Sequence, residues 1–123
     1  MILDSNIIIY SALPESEQLR EFIREHSPNV SAISRLEVLG YPDIEDEDRA
    51  YFDGFFAVAT IIPLGTEIID GAIALRRKRR MSLGDALIAA TALEHRLALV
   101  TRNTKDFKWI DSLTLINPFA ADE

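Results

Sequence analysis

The sequence predicts an α/β fold, a three-layer sandwich with a central, mostly parallel five-stranded sheet. Three observations lead there. Short runs rich in Ile, Leu and Val alternate with longer amphipathic stretches. Those stretches are long enough to cross over and start the next strand in the same direction. The 123 residues suit one domain, residues 1–123, with enough chain to bury a core between a sheet and its covering helices.

The elements follow in order. "MIL" reads as a short strand, and "SNIIIYSAL" as a helix stopped by Pro14. "ESEQLREFIREH" places Leu19, Phe22 and Ile23 on one face and reads as a helix. "NVSAI" is a strand. "SRLEVLGY" is a short helix ended by Gly40 and Pro42. "EDEDRAYFDGFFAVA" is a helix whose acidic first turn suits the helix dipole; Tyr51, Phe52, Phe55 and Phe56 form an aromatic stripe along it. "TIIPL" is a strand, and "TEIIDGAIALRRKRR" a helix with a basic last turn. "SLGDALIAATALEHR" is a helix, "LALVT" a strand and "TLINP" a last short strand. Repeats, low-complexity segments and Gly/Ser linkers are absent.

Composition narrows the function classes. Apolar residues make up 48% and charged residues 27%, as in ordinary globular chains. The chain has no cysteine, which excludes disulfides and thiolate metal sites. No apolar run approaches the roughly 18 residues of a membrane span, and Asp4 interrupts the N-terminal stretch where a secretion signal would lie. A soluble cytoplasmic protein with no membrane partner is the expectation. The net charge of −7 at first argues against nucleic acid. Its distribution says more: residues 1–70 carry 4 basic and 14 acidic side chains, whereas residues 71–123 carry 9 basic and 6 acidic. Five of the basic residues form one run, Arg76 to Arg80, which could face a polyanion. That run also suits a solvated helix end.

Chemistry-bearing residues gather after the strands. Asp4 ends the first, Glu37 lies in the first turn of the helix after the second, and Thr101, Asn103 and Asp106 follow "LALV". Asp85 begins the helix before that strand. In an open parallel sheet, ligands sit beyond the carboxyl ends of the strands. Each residue also has a structural role open to it. "SRLE" (34–37) and "SLGD" (82–85) match the capping box, a cap worth about 1 kcal/mol. Asp4 could cap the "SNIII" helix, and Asn103 or Asp106 a turn before Phe107.

Burial and charge weigh against a purely structural reading. The helix headed by Asp85 is apolar almost all round, which buries it and sets Asp85 at the mouth of the core. Carboxylates sharing one pocket repel by about 4 kcal/mol per close pair at 4 Å and an effective dielectric of 20. A cap does not offset that. The acids must stand apart, take up protons, or share a divalent cation; an all-oxygen site suits Mg²⁺ or Mn²⁺. His26 and His95 match no zinc spacing and lie near helix C-termini, where they read as structural.

"ILDSNIII", "SAISRLEVLGY", "DALIAATALEH" and "LALVTRNTKDF" together resemble the PIN-domain family, most closely the VapC-type toxins of toxin–antitoxin pairs. The resemblance covers nearly the whole chain in the right order. It implies a PIN-like fold and a Mg²⁺- or Mn²⁺-dependent endoribonuclease that leaves a 5′-phosphate and a 3′-hydroxyl. Asp4, Glu37 and Asp85 match the family's three core acids. The fourth falls at Asn103 or Asp106, so the metal set would be Asp4, Asp85, Asn103 and Asp106. Ser5, Asn6 and Thr101 would flank the pocket; Arg102, Lys105, Arg79 and Arg80 would guide the RNA backbone. The implied partners are an RNA substrate, a small cognate antitoxin and a second copy of the chain. Ile7, Ile8, Tyr10, Phe52 and Phe55 are candidate apolar contacts for the antitoxin, although as apolar residues they equally suit the core.

Two other functions compete. A catalytically impaired PIN-like binding module is compatible with Asn103 in place of an acid. A phospho-receiver domain shares the sheet type and the acidic pocket. It needs an acidic pair at the first strand, an Asp closing the third and a late Lys-Pro, none of which this chain has.

Overall fold

The computed structural model describes residues 1–119. The last four residues of the expected 1–123 domain lie outside the described ones. Five short strands form one sheet: β1 (Ile2–Leu3), β2 (Asn29–Ser31), β3 (Thr60–Ile62), β4 (Leu99–Val100) and β5 (Leu115–Ile116). Their spatial order is β3-β2-β1-β4-β5, and every pairing is parallel. β1 is therefore central. Ile2 pairs with Asn29 on one side and Leu99 on the other, and Leu3 with Val30 and Val100.

Strand side chains alternate between faces, and that alternation builds the three layers. Ile2, Ile62 and Leu99 point to one core, with Ile68, Ala72 and Leu75 of α5 (Thr66–Lys78) and the alanines of α6 (Leu83–His95). Leu3, Val30 and Val100 point to the other, closed by α1 (Ser5–Ser11), α2 (Glu17–His26), α3 (Ala32–Leu39) and α4 (Asp46–Val58) through Ile7, Ile8, Leu19, Val38, Phe52 and Phe56. The small residues of α5 and α6 permit close approach: a Cβ on Gly71 would stand 3.3 Å from that of Ala90. Of the aromatic stripe, Phe52 and Phe56 are buried, whereas Tyr51 and Phe55 are half-buried.

Three boundaries depart from the sequence expectation. α3 begins at Ala32, because Ser31 takes the N-cap position with extended backbone and its hydroxyl accepts the N–H of Ile33 at 3.2 Å. The "SRLE" capping box is thus not formed, and Glu37 sits in the second turn rather than the first. α5 stops at Lys78, so the basic run straddles the helix end. A single-turn helix, α7 (Thr104–Phe107), follows β4 and buries Phe107; four residues are too few to show a period. The "SLGD" cap is present: Ser82 Oγ accepts the N–H of Asp85 at 3.1 Å. No helix among the described residues is long and apolar enough to cross a membrane.

Candidate active site

The register of β1 and β4 sets the first contact. Leu3 pairs with Val100, so the next residues, Asp4 and Thr101, leave the sheet side by side at its carboxyl edge. The Asp4 N–H donates to the Val100 carbonyl at 2.9 Å. The Thr101 hydroxyl donates to Asp4 Oδ2 at 2.8 Å, and the Asn103 N–H donates to Thr101 Oγ1 at 3.0 Å. Asp4 occupies the N-cap position of α1 without a side-chain cap hydrogen bond. It is only 4% exposed. Burial raises its carboxyl above the ordinary range; the Thr101 hydroxyl and the backbone N–H groups of Ser5 and Asn6 partly offset this, and the charge of Glu37 adds to it.

Glu37 reaches the same edge from α3. Ser5 Oγ lies 2.7 Å from Glu37 Oε1 and 2.9 Å from Ser34 Oγ, and Ser34 is fully buried. A hydroxyl carries one proton. Donation by Ser5 to the carboxylate therefore leaves Ser34 as the donor toward Ser5. The Glu37 carboxylate rests on Gly84 in the first turn of α6. A Cβ on Gly84 would come within 2.9 Å of Glu37 Cδ and 3.0 Å of Oε1. Absence of a side chain there lets the carboxylate lie against the helix start.

Asp85 follows Gly84. Its carboxyl is pushed up to about 6, first by burial, then by the charges of Asp4 and Asp106, with Glu37 adding less. Asp4, Asp106 and Glu37, the other acids expected from the sequence, thus all lie near enough to act on Asp85. No base neutralises them: the ion pair among the described residues, Arg49 with Asp53 at 3.9 Å, lies on the exposed face of α4. Of the two residues expected after β4, Asp106, in α7, is the acid that perturbs Asp85. Asn103 occupies the N-cap position of α7, is exposed, and joins the cluster through its backbone. Among the described residues, no group of three or more Asp, Glu or His side chains is arranged to hold a metal ion.

The basic residues lie differently from the acids. The Arg102 guanidinium sits over the rings of Phe119 (4.6 Å) and Tyr10 (5.5 Å). Arg79 stacks over Trp109 at 5.7 Å, and Arg80 and Lys105 are exposed. Asn6 is exposed and meets the pocket through its N–H. Three contributors escaped sequence reading. Ser34 reads as a cap and is instead a buried partner of Ser5. Gly84 carries a usable signal, a glycine beside an acid in the first turn of a buried helix. Trp109 donates its indole N–H to the Asp106 carbonyl at 3.1 Å.

An apolar groove of about 440 Å³ runs from Glu37 between the end of α1 and the start of α4. Ile9, Leu13, Tyr41 and Ile44 line it, with Asp43, Glu45 and Asp48 as an acidic rim. Of the apolar contacts expected for a partner, Ile7, Ile8 and Phe52 are core residues, and Phe52 alone reaches the groove wall.

A five-stranded parallel sheet with unpaired acids at its carboxyl edge defines the class, and the profile of the PIN domain matches residues 1–113. The chain belongs to the PIN-domain family, in its VapC-type branch. It is 30% identical over 134 aligned positions to Ribonuclease VapC1 of Rickettsia felis, covering 99% of this chain and 98% of that protein. It is 29% identical to a chain of a toxin–antitoxin complex from Klebsiella pneumoniae, with a TM-score of 0.76 and coverage of 95% and 96%. VapBC2 of Rickettsia felis, solved bound to a promoter DNA fragment, shares the fold with a TM-score of 0.82 at 23% identity, covering 94% of this chain and 96% of that one.

Proposed function

We propose that this chain is a divalent-metal-dependent endoribonuclease that hydrolyses RNA phosphodiester bonds as the toxin of a toxin–antitoxin pair in the cytoplasm. The observation that carries the reading is the cluster of Asp4, Glu37, Asp85 and Asp106, raised in pKa at two members and neutralised by no base. Family membership and similarity to proteins named as VapC ribonucleases support the activity.

The donor set fits Mg²⁺ or Mn²⁺. All the side chains are hard oxygen donors. Mg²⁺ is held by one or two carboxylates together with waters and substrate phosphates rather than by an all-protein cage. Asp4, Asp85 and the corner of Asn103 or Asp106 would hold one or two such ions. Bound there, such an ion supplies charge neutralisation of the scissile phosphate and acidification of a nearby water. Thr101 fixes the Asp4 carboxylate, so its free oxygen has one direction to face. Glu37, fixed by Ser5 and indirectly by Ser34, accepts a hydrogen bond from the attacking water and aims it.

Cleavage assays with Mg²⁺ or Mn²⁺ on structured and single-stranded RNA test the reading. Asp4→Asn and Asp85→Asn should abolish cleavage and leave the metal-free melting temperature equal or higher. Normal cleavage by either variant, or loss of its fold, overturns the assignment. The impaired-binding alternative is separated by metal titration. Mg²⁺ or Mn²⁺ should raise the melting temperature of the wild type and change the fluorescence of Trp109, the single tryptophan, bonded to Asp106. A flat response in both favours a binding module without a working site.

The antitoxin would lie in the groove beside Glu37, as an apolar segment carrying basic side chains to meet Asp43, Glu45 and Asp48. A second copy would pack on α5. Ile69 and Ile73 are 40% and 50% exposed there, and Leu83 nearby 63%. Antiparallel pairing of α5 about a twofold axis through Ile73 sets Asp70 opposite Arg77 of the second copy, twice, making the face complementary to itself.

A further inference from the structure

Arg102 forms no ion pair with a carboxylate of the described residues. Its guanidinium lies instead against two aromatic rings. Its guanidinium lies 4.6 Å from the centroid of Phe119 and 5.5 Å from that of Tyr10, and the two rings meet edge to face at 5.9 Å. The arrangement is built. The Thr101 N–H donates to the Ile116 carbonyl at 2.9 Å, which ties the end of β5 to the residue after β4. The Phe119 N–H donates to Asn117 Oδ1 at 3.0 Å, which turns the segment after β5 back over α1. Arg102 adjoins Thr101, whose hydroxyl bonds Asp4, so the backbone that carries the guanidinium leaves the sheet beside the acidic pocket. Arg102 remains exposed and Phe119 is 41% exposed.

A flat cation on an aromatic face offers a nucleobase both a stacking surface and a compensating charge. Single-stranded nucleic acid is gripped in this way: aromatic rings take the bases, and basic groups track the backbone. A duplex does not offer an unstacked base. We infer that Arg102 and Phe119, braced by Tyr10, form a ledge on which an unpaired base next to the cleaved phosphate stacks. The inference rests on the reading of the chain as an RNA nuclease and specifies its substrate as locally single-stranded. It also changes the role of Arg102 from backbone guide to base platform.

The test measures binding apart from cleavage. An RNA octamer with 2-aminopurine at its centre is titrated into the Asp85→Asn protein, which keeps the strand uncut. Expected results are fluorescence quenching on binding and, for Phe119→Ala, affinity lower by on the order of tenfold with the quenching lost. Phe119→Trp should restore both. An abasic site at the same position should weaken binding by the wild-type ledge and add nothing in Phe119→Ala. Arg102→Ala should in addition reduce the salt dependence of binding, whereas Phe119→Ala should not. Equal affinity and equal quenching in Phe119→Ala overturn the ledge, as does an abasic penalty unchanged by that substitution. With the ledge residues unaltered, an abasic octamer that binds as tightly as the intact one also overturns the ledge, so a folding defect in one ledge variant does not blunt the test. Stacking without metal-dependent cleavage in the otherwise wild-type chain would sink the nuclease reading and leave the ledge; cleavage without stacking would do the reverse.

Discussion

Asp85 links the chemistry of the pocket to the stability of the fold. Its carboxyl is raised to about 6 in the folded chain. An acid whose folded pKa lies above its unfolded value favours the fold while protonated, and that contribution is lost as the pH rises through the folded pKa. Metal-free protein should therefore lose stability between about pH 4 and pH 6 and level off above. Screening at this half-exposed position leaves on the order of 1–2 kcal/mol of the effect. Asp85→Asn should melt about 2–8 °C higher at pH 7 without metal and show a shallower pH profile in thermal denaturation; an unchanged profile would assign the titration to another group. Asp4 shifts in the same direction, so it adds to the slope with the same sign. Gly84 gives a prediction of opposite sign for stability and activity. Alanine suits a helix better than glycine by about 1 kcal/mol, but its Cβ would displace the Glu37 carboxylate. Gly84→Ala should hold or raise the melting temperature and slow cleavage by roughly ten- to a hundredfold. Loss of stability with full activity would show that Glu37 needs no such seat.

At the level of elements, α6 carries the site on its first turn, and the Ser82 cap fixes that turn. Ser82→Ala should cost about 1 kcal/mol in denaturant unfolding and lower cleavage as well, since Asp85 sits where the cap acts. A stability loss with unaltered cleavage would separate the cap from the chemistry. The same helix explains what the sequence could disclose. Its all-round apolarity and its capping box are local, so its span and the partial burial of Asp85 could both be read directly. The strands were legible as apolar runs, and the turn of Gly40 and Pro42 marked the end of α3. The start of α3 was not legible, because Ser31 and Ser34 are both competent caps and only burial against Ser5 decides between them. The proximity of the four acids followed from the sheet type. The stacking of Arg102 did not, because it depends on where the segment after β5 turns back.

For the whole molecule, the exposed stripe of α5 sets a prediction about assembly. Ile73→Lys should convert a dimer into a monomer in sedimentation experiments. Asp70→Arg should do the same, and Arg77→Asp added to it should restore the dimer; failure of the double variant to recover would place the interface elsewhere. The order of the strands has a separate consequence. The central strand is the first in the chain, yet the hydroxyl that fixes Asp4 arrives 97 residues later, on Thr101. A ribosome therefore releases α1 to α6 before the pocket can close, and at about 5–20 residues per second roughly 5–20 s pass between the synthesis of Asp4 and that of Thr101. Premature termination before β4 would leave a chain without the hydroxyl that fixes Asp4, so no complete pocket forms until Thr101 has been made.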